Sequence, residues 1–186
     1  MKKIFILLLI TASLSAYGQF NSGSVYFTGM TNGHLGTRIY EESFYIPFEI
    51  SVEGGYFIKN RIALGGEIHT HGELSFSGNS SYELLFGPTI RYYRTSVKDF
   101  QAYYFGHAFY GFWNGNNNQT GLKGGVGFNY FLTERIALEA RIGYQYQRQW
   151  YTEPFSGFNY HFNTHDLLFE FGITVFFPSI KFFDRT

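Results

Sequence analysis

His69 and His71 stand two positions apart, the spacing that puts two imidazoles on one face of a β-strand. Joined by His161 and His165, they could grip a metal ion, since neutral imidazole is a common ligand. The spacing is generic, however, and histidines where a strand passes from an apolar to a wet environment are ordinary. No metal and no cofactor are expected. Gly121-Leu122-Lys123-Gly124-Gly125-Val126-Gly127 is glycine-rich like a phosphate loop but lacks the spacing and the following helix. It reads as a strand whose glycines ease curvature. With aspartate confined to Asp99, Asp166 and Asp184, an Asp-oriented triad is poorly supplied, and the absence of cysteine removes thiolate and disulfide chemistry. No enzyme is expected.

The more regular chemistry is ionic. Glu49, Glu53, Glu67, Glu83, Glu139 and Glu170 are set against Arg91, Lys123 and Arg141, on the polar side of segments that alternate. Phe44, Ile46, Phe48, Ile50 and Val52 point one way while Tyr45, Pro47, Glu49, Ser51 and Glu53 point the other. Leu138, Ala140, Ile142, Tyr144 and Tyr146 alternate with Glu139, Arg141, Gly143, Gln145 and Gln147 in the same way. A period of two is a strand apolar on one face only.

One phrase recurs. Tyr56-Phe57-Ile58-Lys59-Asn60-Arg61-Ile62-Ala63-Leu64 returns 74 positions later as Tyr130-Phe131-Leu132-Thr133-Glu134-Arg135-Ile136-Ala137-Leu138. Each copy is a tight turn between two strands. Eight strands follow from the pattern, at 23–30, 44–56, 62–72, 81–93, 100–113, 120–130, 136–148 and 166–177. Short connections at 57–61, 94–99 and 131–135 alternate with longer ones at 31–43, 73–80, 114–119 and 149–165. Pro47, near a strand start, is tolerable, whereas Pro88 inside a strand predicts a bulge.

Alternation does not say which face is outward, because a lipocalin-type barrel has an apolar inside. Charged residues are only 15% of the chain, sparse for a wetted exterior, whereas aromatics reach 22%. Tyr56, Phe57, Tyr92, Tyr93, Tyr130, Phe131, Phe176 and Phe177 gather where strands meet turns, as rings do at a bilayer interface. The fold expected is all-β, an eight-stranded antiparallel up-and-down transmembrane β-barrel. Such a barrel is just wide enough to be filled by its own side chains. The glutamates and bases named above are therefore expected to plug it as an ion-pair network.

Lys2 and Lys3, the apolar run Ile4 to Leu14, and the small residues Ala16 and Gly18 read as a signal peptide over 1–18, cut before Gln19. Residues 19–186 are then the barrel. Without Lys2 and Lys3 the balance is 12 basic to 14 acidic residues, which argues against a nucleic-acid partner. The export signal, the phrase Gly55-Tyr56-Phe57…Arg61-Ile62-Ala63-Leu64-Gly65, the segment Gly87-Pro88…Arg91-Tyr92-Tyr93 and the Phe-rich last strand together resemble the small outer-membrane β-barrel family. That is the group related to OmpX and the OmpA transmembrane domain. The resemblance implies the bacterial outer membrane as location, with its lipid, lipopolysaccharide and assembly machinery as partners. Members typically end on an aromatic, whereas this chain ends Phe182-Phe183-Asp184-Arg185-Thr186, which leaves Phe177 or Phe183 as the assembly signal. Two enzyme groups use such barrels, the lipid A deacylases and palmitoyltransferases. The His-x-Ser segment of the first has no match here. The role expected is structural, or surface interaction through extracellular loops, with ligand contact at 31–43 and 149–165. A lipid-modifying enzyme and narrow-pore transport are the alternatives.

Overall fold

Among the described residues, seven strands of 13 to 19 residues are long enough to cross a bilayer, the first strand has eight residues, and the second is a three-residue addition at one end. The computed structural model describes residues 20–32, 38–40, 43–75, 81–94, 99–113, 117–152 and 159–178. The long strands are β1 (Val25–Asn32), β3 (Ser43–Lys59), β4 (Ile62–Ser75), β5 (Ser81–Tyr93), β6 (Phe100–Trp113), β7 (Asn117–Phe131), β8 (Ile136–Thr152) and β9 (Asn159–Phe177). β2 (Arg38–Tyr40) lies against β3 beyond the end of β1. Every pairing is antiparallel between chain neighbours, and β1 closes the ring by pairing with both β9 and β3. Closure removes the strand edges whose unpaired N–H and C=O groups are untenable in hydrocarbon. The signal segment 1–18 and Phe183 lie outside the described residues.

Strands β5 and β6 begin and end where the alternation places them, but the loop end of the barrel extends further than expected. Residues 149–165, anticipated as a loop, are mostly ladder, with Tyr151 opposite Tyr160 and Thr152 opposite Asn159. Likewise 31–43 contains the end of β1 and all of β2, with Arg38 opposite Tyr45. Beyond the apolar belt both faces of a strand meet water, so side-chain alternation fades while backbone pairing continues.

The bulge predicted at Pro88 is absent. Phe86 opposes Tyr110 and Thr89 opposes His107 in one unbroken register, and only the intervening pairs are missing from the ladder. The sheet tolerates the lost donor by skipping two pairs, with no extra residue inserted. Pro47 falls in the interval of β3 between its pairings with β1 and β2. The register shift that does occur is between Phe57 and Lys59, beside the turn at Asn60-Arg61, where Arg61 takes a left-handed φ of 71°.

The apolar face is the outer one. Val52, Leu64, Ile68, Leu122, Ile142, Phe169 and Ile173 are all exposed on the exterior, while Ser51, Glu53, Glu67, Arg141, Glu170 and Thr174 are buried within. The expected interfacial girdle is only half correct. Tyr56, Tyr92, Tyr130 and Phe177 face outward, but Phe57, Tyr93, Phe131 and Phe176 turn inward and are buried. Parity dictates this, since adjacent residues on a strand must face opposite sides. The inward rings join Tyr26, Tyr103, Ala63 and Ala137 in an apolar floor at the turn end. Phe20 sits among them, 4.6 Å from Tyr93 and 5.5 Å from Phe176 between ring centroids.

Candidate functional site in the barrel lumen

Above the floor, the inward positions of all eight long strands converge on one polar layer. Thr28 comes from β1, Glu53 from β3, Glu67 from β4, Arg91 from β5, Tyr103 from β6, Lys123 from β7, Glu139 and Arg141 from β8, and Glu170 from β9. They meet because the ladders place Glu53 opposite both Thr28 and Glu67, and Arg141 opposite Glu170.

Arg91 is held as a fork. Its Nε donates to Glu53 Oε1 at 2.8 Å and its Nη2 to Glu53 Oε2 at 2.6 Å, while Nη1 reaches Glu139 Oε2 at 3.1 Å. Nη1 also donates to the Tyr93 hydroxyl and Nη2 to the Thr28 hydroxyl, and the Tyr26 ring lies 4.1 Å beneath the guanidinium carbon. Arg141 donates from Nε to Glu139 Oε1 at 2.7 Å and to the Tyr103 hydroxyl at 2.8 Å. Its other nitrogens pair with Glu53, Glu170 and Glu67. Lys123 Nζ bridges Glu67 Oε1 at 2.6 Å and Glu170 Oε1 at 2.8 Å. Planar guanidinium forks and bidentate carboxylates are the geometry in which buried charge is tolerated.

Seven of the nine ionic residues singled out in the sequence thus share this layer. The other two lie apart. Glu49 pairs with His69 at 3.0 Å and His71 at 3.8 Å. Glu83 accepts from the side-chain amides of Gln119 at 2.5 Å and Gln147 at 3.2 Å. The four-histidine clip does not form: His165 packs against Tyr144 and Tyr146 on the exterior, and His161 shares that exposed face. His107, on a strand too apolar on both faces for its direction to be read, is buried in the lumen 3.5 Å from Glu67.

Sequence reasoning missed the hydroxyls. Tyr26 donates to Glu53 and Tyr103 to Glu139, each at 2.5 Å, and Thr89 donates to Glu53. The missed signal was again parity, which puts each of them on the inward face of its strand. One glycine of 121–127, with Gly55, also makes room for a ring. A Cβ on Gly127 would lie 2.1 Å from the Tyr103 ring, and one on Gly55 2.3 Å from the Tyr26 ring. These glycines are the seats on which the two carboxylate-binding tyrosines lie.

A closed antiparallel ring of eight long strands, apolar outside, is the architecture of an integral outer-membrane β-barrel protein of the small eight-stranded class. Solved structures of that class share it. OprG from Pseudomonas aeruginosa superposes with a TM-score of 0.56 at 12% identity, over 87% of this chain and 99% of that one. Neisserial surface protein A gives 0.56 at 15% identity over 83% and 97%. The N-terminal β-barrel domain of Pseudomonas aeruginosa OprF gives 0.51 at 12% identity over 84% and 98%. No family model matches the chain, and no curated protein does. At such identities the likeness is one of fold.

Proposed function

We propose that the chain is a closed barrel of the bacterial outer membrane that acts at its loop end, as an envelope component or a surface for contact with other molecules. The observation that carries this reading is the double closure of the lumen. An aromatic floor lies at the turn end, and a polar layer drawn from all eight long strands, with ion pairs at its centre, lies above it. Among the described residues the lumen is filled at both levels, which favours function at the parts that project beyond the bilayer, where binding residues concentrate on a rigid scaffold. The long β8–β9 ladder carries Trp150, Tyr160 and Phe162 there as exposed aromatics. The short turns then face the periplasm and the loops face the outside.

An epitope inserted in 153–158, in a chain exported by its own signal, tests location and orientation together. Antibody labelling of intact cells and recovery in the outer-membrane fraction are expected. Labelling only after permeabilisation would reverse the orientation, and recovery in the soluble fraction would end the proposal.

A further inference from the structure

We propose that the lumen binds one divalent transition-metal ion, through Glu67, His69 and Glu170 with His107 as a further ligand. Ligand atoms of the first three lie within 4.8 Å of one another, and all three side chains are buried. Zinc–nitrogen and zinc–oxygen bonds of about 2.0–2.2 Å set ligand atoms roughly 3.3 Å apart in a tetrahedral site.

Two independent features point to a cation here. The first is unused donor capacity. Glu67 Oε2, His69 Nδ1 and both ring nitrogens of His107 are buried without a hydrogen-bond partner. His107 is only 4% exposed, and its Nδ1 is 3.5 Å from Glu67 Oε2. On β5, which lies between the two strands, Glu67 is opposite Gly87 and His107 is opposite Thr89. The second is charge. The buried layer sets four carboxylates, Glu53, Glu67, Glu139 and Glu170, against three cations, Arg91, Lys123 and Arg141. One negative charge is left over.

Lys123 engages the Oε1 atoms of Glu67 and Glu170, so it holds the two carboxylates together, while Glu67 Oε2 makes no hydrogen bond and lies 3.5 Å from His107 Nδ1 and 3.7 Å from Arg141 Nη1. Two imidazoles and two carboxylates form a mixed nitrogen–oxygen set. It suits zinc, copper or nickel, and disfavours magnesium and calcium, which prefer all-oxygen shells.

The test uses untagged full-length protein folded in detergent, with His161 and His165 replaced by glutamine to silence the exterior. Zinc titration by calorimetry in excess magnesium is expected to give one ion per barrel. Adding H69Q or H107Q is expected to weaken binding at least tenfold. No saturable zinc binding, or binding unchanged in the H69Q/H107Q barrel, would overturn the proposal. Should those variants fail to fold, the electron paramagnetic resonance spectrum of copper in the parent barrel answers the same question. Nitrogen superhyperfine structure from two imidazoles is expected, and an oxygen-only signature would refute it. Metal binding and cell-surface labelling are separate readouts, so the failure of one leaves the other standing.

Discussion

At the scale of single residues, the lumen is organised around two guanidinium groups. Arg141 touches Glu53, Glu67, Glu139 and Glu170, more carboxylates than any other cation of the layer. Removing it leaves four buried carboxylates facing only Arg91 and Lys123. Breaking a buried pair in this way costs about 3–5 kcal/mol, because the partners keep their desolvation penalty without compensation. Arg141→Ala is therefore expected to lower the free energy of unfolding from lipid vesicles by that order, read as a lower urea midpoint, while still permitting insertion. Adding Glu53→Gln should restore part of the loss, since it removes one of the stranded charges. An unchanged midpoint in the single variant would show that the layer is wet and screened.

At the scale of the strand, two opposite faces carry opposite requirements. Gly127 on the inner face of β7 is the seat of the Tyr103 ring, whose hydroxyl binds Glu139 and Arg141. Gly127→Val must displace that ring. It is expected to cost about 1–3 kcal/mol, as overpacking does, whereas Gly127→Ala should cost less. Ile142 on the outer face of β8 is 54% exposed. Ile142→Asp places a charge against lipid and should impair membrane assembly, an effect read as loss of heat-modifiable gel mobility. Normal assembly would mean that β8 is out of register by one residue.

The same strands show what could be read in the sequence. The period of two located Glu53, Arg91, Lys123, Glu139, Arg141 and Glu170 on the inner face, because one face of each strand meets lipid and admits no charge. It also contained the inward direction of Phe57 and Phe131, one position after the outward Tyr56 and Tyr130. That direction was obscured because an aromatic beside a turn suits a bilayer interface and a packed floor equally well. The extension of β8 and β9 to Thr152 and Asn159 had no side-chain signal, since water on both faces erases alternation. Convergence of His107 on Glu67 joins β4 and β6 across the intervening β5, a contact that no single strand's alternation displays.

For the whole molecule, the repeated phrase has a structural explanation. In each copy the arginine carbonyl accepts the N–H of an inward aromatic on the next strand: Arg61 from Tyr93 at 2.8 Å and Arg135 from Phe176 at 2.7 Å. Each copy also contributes a phenylalanine and an alanine to the floor, Phe57 with Ala63 and Phe131 with Ala137. The repeat is thus two staples of one lid, with Phe20 as the stopper between them. Floor and charged layer lie in series, so the barrel should be sealed even where either one breathes. The most direct test is single-channel recording of the purified protein in a planar bilayer at neutral pH. Silence is expected, with no steady conductance above the bare membrane, and a reproducible open level would contradict a sealed lumen.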